Sequence, residues 1–520
     1  MNTTIIILAV LYFISWALIV RYDVHMFQQN SYRVNRYLNW YKQCHALPFT
    51  SVALGMGAVS SFASPLTTCI TSAVAVVILL ILSFRTKQKT PLVYTMRVKR
   101  LLITSCLLTA AVITLLWLYV PQYCFTIAYA LLIVPIIVLT ANLINKPLEA
   151  YISRWYYNDA KRILRSMPNL KIIGITGSFG KTSTKHYLYR ILSEKYNVLM
   201  TPGNFNTTLG VVRTVREHLK PHHEVFIVEM GAKQTGDIKE ICELVHPTIG
   251  IVTAVGEMHL ETFHTIENIF RTKFELIEAL PEDGMGVINL DSEVIAQAKV
   301  HRHSHTVSYS VEHAEADYRA VDVKYSARET SFSVDCRGDI REGYTTHLAG
   351  RGNILNLLAA IAVADKLNVS EALQKRAIRQ IEQIEHRLNV RHTAGGVAII
   401  DDAYNSNPAG AKMALEVLRE FERPAGARAI VVTPGFVELG ERQAALNTEL
   451  GRQIAQSCDI AIVVNKTNRE AIVRGIESEE FAKENLFIAD SFAEATALLT
   501  PMLRSGDVVL YENDLPDSFK

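Results

Sequence analysis

Three stretches of this 520-residue chain contain no Asp, Glu, Lys or Arg: residues 3–20 (TTIIILAVLYFISWALIV), 46–84 and 101–145. About 20 consecutive apolar residues form a helix that crosses a hydrocarbon core of about 30 Å, so each stretch is near or beyond the length of a membrane span. At 1.5 Å per residue, 46–84 would run to about 55–60 Å as one helix, and it is expected to fold back near Ser61–Pro65. Likewise 101–145 divides at Pro121. The expectation is an all-α membrane domain over residues 1–148 with helices at 3–20, 47–63, 66–84, 101–120 and 123–145. The first stretch has no basic start and no small-residue cleavage pattern after it, which argues for a span over a cleaved leader.

Charge orients these spans. Arg21, Arg33, Arg36 and Lys42 follow the first, and Arg85, Lys87, Lys89, Arg97, Lys99 and Arg100 follow the hairpin. Loops rich in Lys and Arg stay in the cytoplasm, which puts the amino terminus outside and everything after Lys146 inside. With no charged group in the spans, anchoring or docking of a lipid is expected over transport. Residues 1–150 carry 11 basic residues against Asp23 and Glu149, whereas 42 basic and 49 acidic residues remain in 151–520. An acidic second part argues against a nucleic-acid partner. The seven cysteines show no paired spacing, so neither a disulfide framework nor a zinc site is implied.

After a polar connector (149–170), short apolar runs alternate with helical patterns, as in a parallel sheet covered by helices. Strands are expected at 171–176, 224–228 and 249–255, and a helix at 353–367. Period-two alternation over 305–348 reads as a small antiparallel sheet. A second α/β block, 389–520, carries expected strands at 397–401, 428–433, 459–464, 486–489 and 507–511.

The segment TGSFGKTS (176–183) follows a strand and opens a helix. Small residues there let backbone N–H groups approach phosphates, and the helix start adds favourable partial charge. Thr176, Gly177, Ser178, Gly180, Lys181, Thr182 and Ser183 are the candidate nucleotide-binding residues, with Lys181 reaching the outer phosphates and Thr182 ligating magnesium. Ile175 stands where a strict phosphate-loop pattern has its first glycine, which leaves an ordinary glycine-rich turn as the other reading. Ligands of open α/β sheets bind beyond the carboxyl ends of strands, where Glu229 of VFIVEMGA and His259 of GEMHLE are expected. Singly, each is compatible with a surface charge or a loop histidine. Their shared edge with Thr182 makes them candidate magnesium ligands.

Taken in order, TGSFGKTS, NFNTTLG (204–210), EMGA, GEMHLE, TKFELIEALPEDG (272–284), INLD (288–291) and DDAYNSNP (401–408) resemble the motifs of the Mur ligases. DDAYNSNP is most similar to the branch whose amine is D-alanyl-D-alanine. The resemblance spans about residues 170–515. It implies a phosphate-loop ATPase domain over 171–388, a Rossmann-like carboxyl-terminal domain over 389–520, ATP and Mg2+ as cofactors, and formation of an amide through an acyl phosphate. It further implies catalytic roles for Lys181, Glu229, His259 and Lys273, the last as a carbamate that ligates magnesium or else as an ordinary surface lysine. Asn289, Arg387 and Asp402 would bind ATP. Asn206, Thr207, Tyr404, Asn405 and Asn407 would shape the loops that present substrate and the carboxyl-terminal domain.

The resemblance fails in places. The amino-terminal domain that holds a uridine nucleotide in this family has no counterpart. TPGFVELG (433–440), Asn447, YENDLPD (511–517), Val212 and Gly352 replace the usual residues, and Glu512 and Asp514 read either as a changed amine site or as surface charge. The expectation is therefore a membrane-anchored ligase that adds an amino acid or peptide to an envelope precursor, lipid-linked in the leading reading. The alternative is ligation on a soluble nucleotide-linked precursor. An ATP-gated scaffold that recruits wall-synthesis proteins is the alternative from another class.

Overall fold

The computed structural model describes residues 3–30, 32–42, 65–85, 91–119, 135–298, 305–325, 329–403 and 407–515. Two compact units result, residues 1–155 and 156–515.

The first unit is helical: Thr3–Gln29, Val34–Lys42, Pro65–Arg85, Met96–Tyr119 and the start of Pro135–Arg165. Trp16, Val20, Phe27, Tyr37, Leu79 and Val138 share its core. Trp16 Nε1 donates to Thr109 Oγ1 at 3.1 Å, and Arg100 grips Glu149 with two bonds of 2.7 and 2.9 Å. Large apolar side chains also face outward, among them Phe13, Ile70, Val74, Leu107 and Leu143.

Five spans are not found among the described residues. Two helices are long and apolar enough to cross a membrane, Ala9–Gln29 with a mean hydropathy of 1.3 and Met96–Leu115 with 1.7, and Ile70–Ile81 is shorter. The expected span 47–63 and most of 123–145 lie outside the described residues. The first helix also runs past residue 20 and takes in Asp23, which is buried, so the helix is not free of charge as the uncharged stretch suggested.

The second unit holds two sheets. In the first, β1 (Lys171–Thr176), β2 (Val198–Met200), β3 (Val225–Glu229), β4 (Ile249–Val252), β5 (Met285–Asn289) and β6 (His305–Ser310) run parallel in the order β2-β3-β1-β4-β5-β6. The sheet continues through β7 (Tyr318–Tyr325), β8 (Thr330–Cys336) and β9 (Asp339–Thr346), the last three antiparallel to one another. The region expected as a separate small sheet is thus one edge of a nine-stranded sheet, and β6 belongs to its parallel part.

The central strands β1, β3, β4 and β5 are covered on both faces and almost wholly apolar, as buried parallel strands must be, whereas β6 and β9 carry polar, exposed positions. Ile173 and Ile175 face a core with Tyr187, Leu188 and the helix Arg351–Lys366, whose residues 353–364 are all buried. Ile172 points to the other face, among Phe226, Val228 and Leu276.

In the second sheet, β10 (Asn389–His392), β11 (Ala398–Asp402), β12 (Ala429–Thr433), β13 (Ile460–Val464), β14 (Leu486–Ala489) and β15 (Val508–Glu512) take the order β10-β11-β15-β12-β13-β14. Only β10 is antiparallel to its neighbour. The carboxyl ends of β11, β15 and β12 therefore lie side by side, placing Asp402, Glu512 and Thr433 on one edge.

Candidate active site

β1 ends at Thr176, whose hydroxyl donates to the Met230 carbonyl at 2.9 Å. The chain then turns through Gly177 (φ +149°), where a Cβ would stand 2.1 Å from Thr253 Oγ1, and Gly180 (φ +82°), where it would stand 2.6 Å from Asn356 Oδ1. Only glycine fits either position. Gly180 caps the helix Lys181–Leu192 without a side-chain hydrogen bond, which leaves the first-turn N–H groups for an anion. Ser178 Oγ donates to the Gly256 carbonyl at 2.9 Å and ties the loop to the chain after β4.

Lys181 curls back on this loop, with Nζ donating to the Gly177 and Ser178 carbonyls at 2.7 and 3.2 Å. Burial lowers its ammonium to about 8; the Glu229 carboxylate opposes the shift and Arg387 adds to it. Thr182 and Ser183 lie in the first turn of the same helix.

Glu229 ends β3 and is 2% exposed. Asn206 Nδ2 donates to its Oε1 at 3.0 Å, and Lys185 Nζ stands 3.0 Å from its Oε2. That second contact is an ion pair to a buried carboxylate oxygen. Burial raises the Glu229 carboxyl, but the charges of Lys185 and Lys181 outweigh it and the net shift is downward. The carboxylate is fixed, ionised and has lone pairs to give.

His259 has a left-handed backbone (φ +53°) and its Nδ1 meets Glu438 Oε2 at 2.5 Å. Burial holds its ring below the ordinary histidine value despite that carboxylate. Lys273, on the helix Ile266–Glu278, is 4% exposed, which rules out the surface-lysine reading. Burial first, and the Lys181 charge second, lower its ammonium to about 7.

The structure brings Gly180, Ser183, Asn289, Arg387, Asp402 and Asn407 to one cleft, with Phe179, Thr253 and Asn356. Asn289 Nδ2 donates to the Thr253 carbonyl at 2.8 Å. Burial raises the Asp402 carboxyl to about 6 against the pull of Arg387. Asn407 caps the helix Pro408–Glu420 by accepting from Gly410 N, and Thr207 caps Thr208–Glu217 in the same way. Tyr404 and Asn405 lie outside the described residues.

Lys181 interacts electrostatically with Glu229, Arg387 and Lys273, and Lys273 does so with His259. Among the described residues no group of three His, Cys, Asp or Glu could hold a metal by itself. Mg2+ keeps waters and is held by one or two carboxylates plus substrate phosphates, so it needs no such group. Thr182, Glu229 and His259 would be the donors to such an ion, and the buried, ionised Glu229 carboxylate fits it.

Two residues escaped the sequence reading. Lys185 sits one helical turn after Lys181, a spacing that puts both on one face and could have flagged it. Glu438 carries no local signal. At the second sheet's edge, Glu512 is 1% exposed and accepts from Thr433 Oγ1 at 2.8 Å, so it is not surface charge. Asn447 pins the loop after β12 by bonding both the N–H and the carbonyl of Phe436.

Family models match in two places: Mur ligase middle domain over residues 175–364 and Mur ligase, glutamate ligase domain over 386–511. The UDP-N-acetylmuramoyl-tripeptide--D-alanyl-D-alanine ligase of Mycobacterium tuberculosis (strain CDC 1551 / Oshkosh) is 33% identical over 361 residues, 66% of this chain and 70% of that protein. Its namesake in Escherichia coli K12 is 28% identical over 364 residues, 67% and 78% of the two chains. The crystal structure of MurF ligase from Thermotoga maritima in complex with ADP superposes with a TM-score of 0.61 at 27% identity, covering 70% of this chain and 80% of that one. A phosphate-loop domain joined to a second parallel-sheet domain is here an ATP-dependent ligase that forms carbon–nitrogen bonds and works with ATP and Mg2+. The chain belongs to the Mur ligase family.

Proposed function

We propose that this chain joins D-alanyl-D-alanine to the peptide carboxylate of a UDP-linked muramoyl tripeptide. The observation that carries the reading is the fixed, ionised Glu229 beside the curled Lys181, in a chain whose relatives bear that activity in their names. When bound, magnesium-ATP supplies the phosphoryl group that activates the acceptor carboxylate for attack by the amine.

The residues divide the work. The Gly177–Gly180 turn and the uncapped helix start receive the phosphates, and Lys181 offsets charge on the transferred group. Thr182, Glu229 and His259 would hold the magnesium, with Lys185 and Asn206 keeping the Glu229 carboxylate in place. With its ammonium lowered to about 7, Lys273 would as the free amine add carbon dioxide and release one proton, giving a carbamate that would serve as an anionic magnesium ligand. Asn289, Arg387 and Asp402 face the nucleotide from the cleft.

Residues 1–155 are read as a membrane anchor with the catalytic part in the cytoplasm. Apolar side chains exposed on several helices support this, as do the two helices long enough to span. A lipid-linked acceptor is the second reading, favoured by one observation: a separate helical unit with outward apolar faces precedes the ATP site. Phosphate release from ATP tests the ligase reading. It should require both the tripeptide acceptor and the dipeptide, and vanish in Lys181→Ala; release that ignores the amine would contradict it.

A further inference from the structure

The loop after β4 and the loop after β12 meet through five residues. His259 Nδ1 lies 2.5 Å from Glu438 Oε2, the Glu261 N–H donates to the Glu438 carbonyl at 3.2 Å, and Arg442 pairs with Glu257. His259 and Glu438 are 179 residues apart, and both adopt left-handed backbones, φ +53° and +63°. Non-glycine residues are rarely held there unless the surroundings over-determine them. Both side chains are mostly shielded, at 22% and 18% exposed, so the bond is poorly screened by solvent.

A neutral imidazole carries one proton. If Nδ1 holds it to donate to a carboxylate, Nε2 keeps the lone pair, and only that nitrogen can ligate a cation. A carboxylate on the far nitrogen also makes the ring a better donor and fixes its plane. We propose that Glu438 is a positioning residue for the divalent cation: it sets the tautomer and orientation of His259, so that the metal site is complete only when the carboxyl-terminal half supplies this carboxylate. The inference rests on the reading of His259 as a magnesium ligand. It makes metal affinity depend on a residue that touches neither metal nor nucleotide.

The plain alternative is an ion pair that merely joins the two halves, as Arg442 and Glu257 do. Titration of the full-length protein with Mn2+, followed by electron paramagnetic resonance, separates the two. Glu438→Ala should weaken Mn2+ binding on the order of tenfold and reduce the nitrogen modulation of directly bound imidazole, while Arg442→Ala leaves both unchanged. Glu438→Gln, with the same shape but no charge, should shift affinity in the same direction and serves if the alanine variant does not fold. Binding within about twofold of wild type in both Glu438 variants, or an equal loss in Arg442→Ala, would overturn the proposal. His259→Ala distinguishes the failures: if it too leaves Mn2+ binding unchanged, the magnesium reading of His259 falls; if it alone weakens binding, only the role of Glu438 falls.

Discussion

Lys185 and Glu229 form an ion pair at 3.0 Å with side chains 0% and 2% exposed. Lys185 also donates to the Gly203 carbonyl at 2.7 Å, so one buried ammonium joins the end of β3 to the loop after β2. Removing one member of such a pair strands the other charge in the interior. Lys185→Met is expected to cost about 3–5 kcal/mol at neutral pH, measured by denaturant unfolding. The Glu229 carboxyl lies below its ordinary value when folded, so its contribution is full above the unfolded value of about 4.3 and is lost as pH falls through the folded one. The penalty in Lys185→Met should therefore shrink in acid, and a pH-independent penalty would contradict this account.

Gly180→Ala should abolish tight nucleotide binding with little loss of fold. A left-handed alanine costs about 1–3 kcal/mol, and its Cβ meets Asn356 Oδ1 at 2.6 Å, so the loop must shift away from the phosphates. Calorimetry with ADP should give a dissociation constant raised by about tenfold or more, since 1.4 kcal/mol is a factor of ten.

Glu512 is raised to about 8 by burial, with the Thr433 bond opposing and the Asp402 charge adding a smaller push upward. A carboxyl raised on folding stabilises fully below its unfolded value of about 4.3, and that stability is lost as pH rises through the folded value of about 8. Glu512→Gln keeps an acceptor for Thr433 and removes the titration. Its Tm should match wild type near pH 5 and exceed it increasingly toward pH 8. Equal Tm values across that range would show that Glu512 ionises freely.

The phosphate loop was legible because strand, turn and helix are contiguous and each has a local pattern. The strands at Leu486–Ala489 and Lys171–Thr176 were legible to the residue for the same reason. β2, three residues long, has no periodicity to detect, and β10 is polar at its exposed end because it is an edge strand. Alternation over 305–348 revealed strands but not their partners: pairing of β6 with β5 is a tertiary choice. The His259–Glu438 bond and the burial of Glu512 depend on loops brought together by folding, so no window of sequence holds them. Two of the uncharged stretches fall on helices long and apolar enough to span, because apolar length is a local signal; the expected span 47–63 and residues 123–134 lie outside the described residues.

If the first unit sits in a bilayer, the full chain should stay in the membrane pellet after an alkaline carbonate wash that strips peripheral proteins. Recovery in the supernatant would show that its exposed apolar faces are covered by protein contacts instead.

The central claim is ligation, and its most direct test is the product. Full-length protein incubated with magnesium-ATP, D-alanyl-D-alanine and UDP-N-acetylmuramoyl-tripeptide should yield the pentapeptide by mass spectrometry, with one ADP formed per product and none of either with Lys181→Ala. Slow ATP hydrolysis with no pentapeptide would contradict the assignment of this soluble precursor.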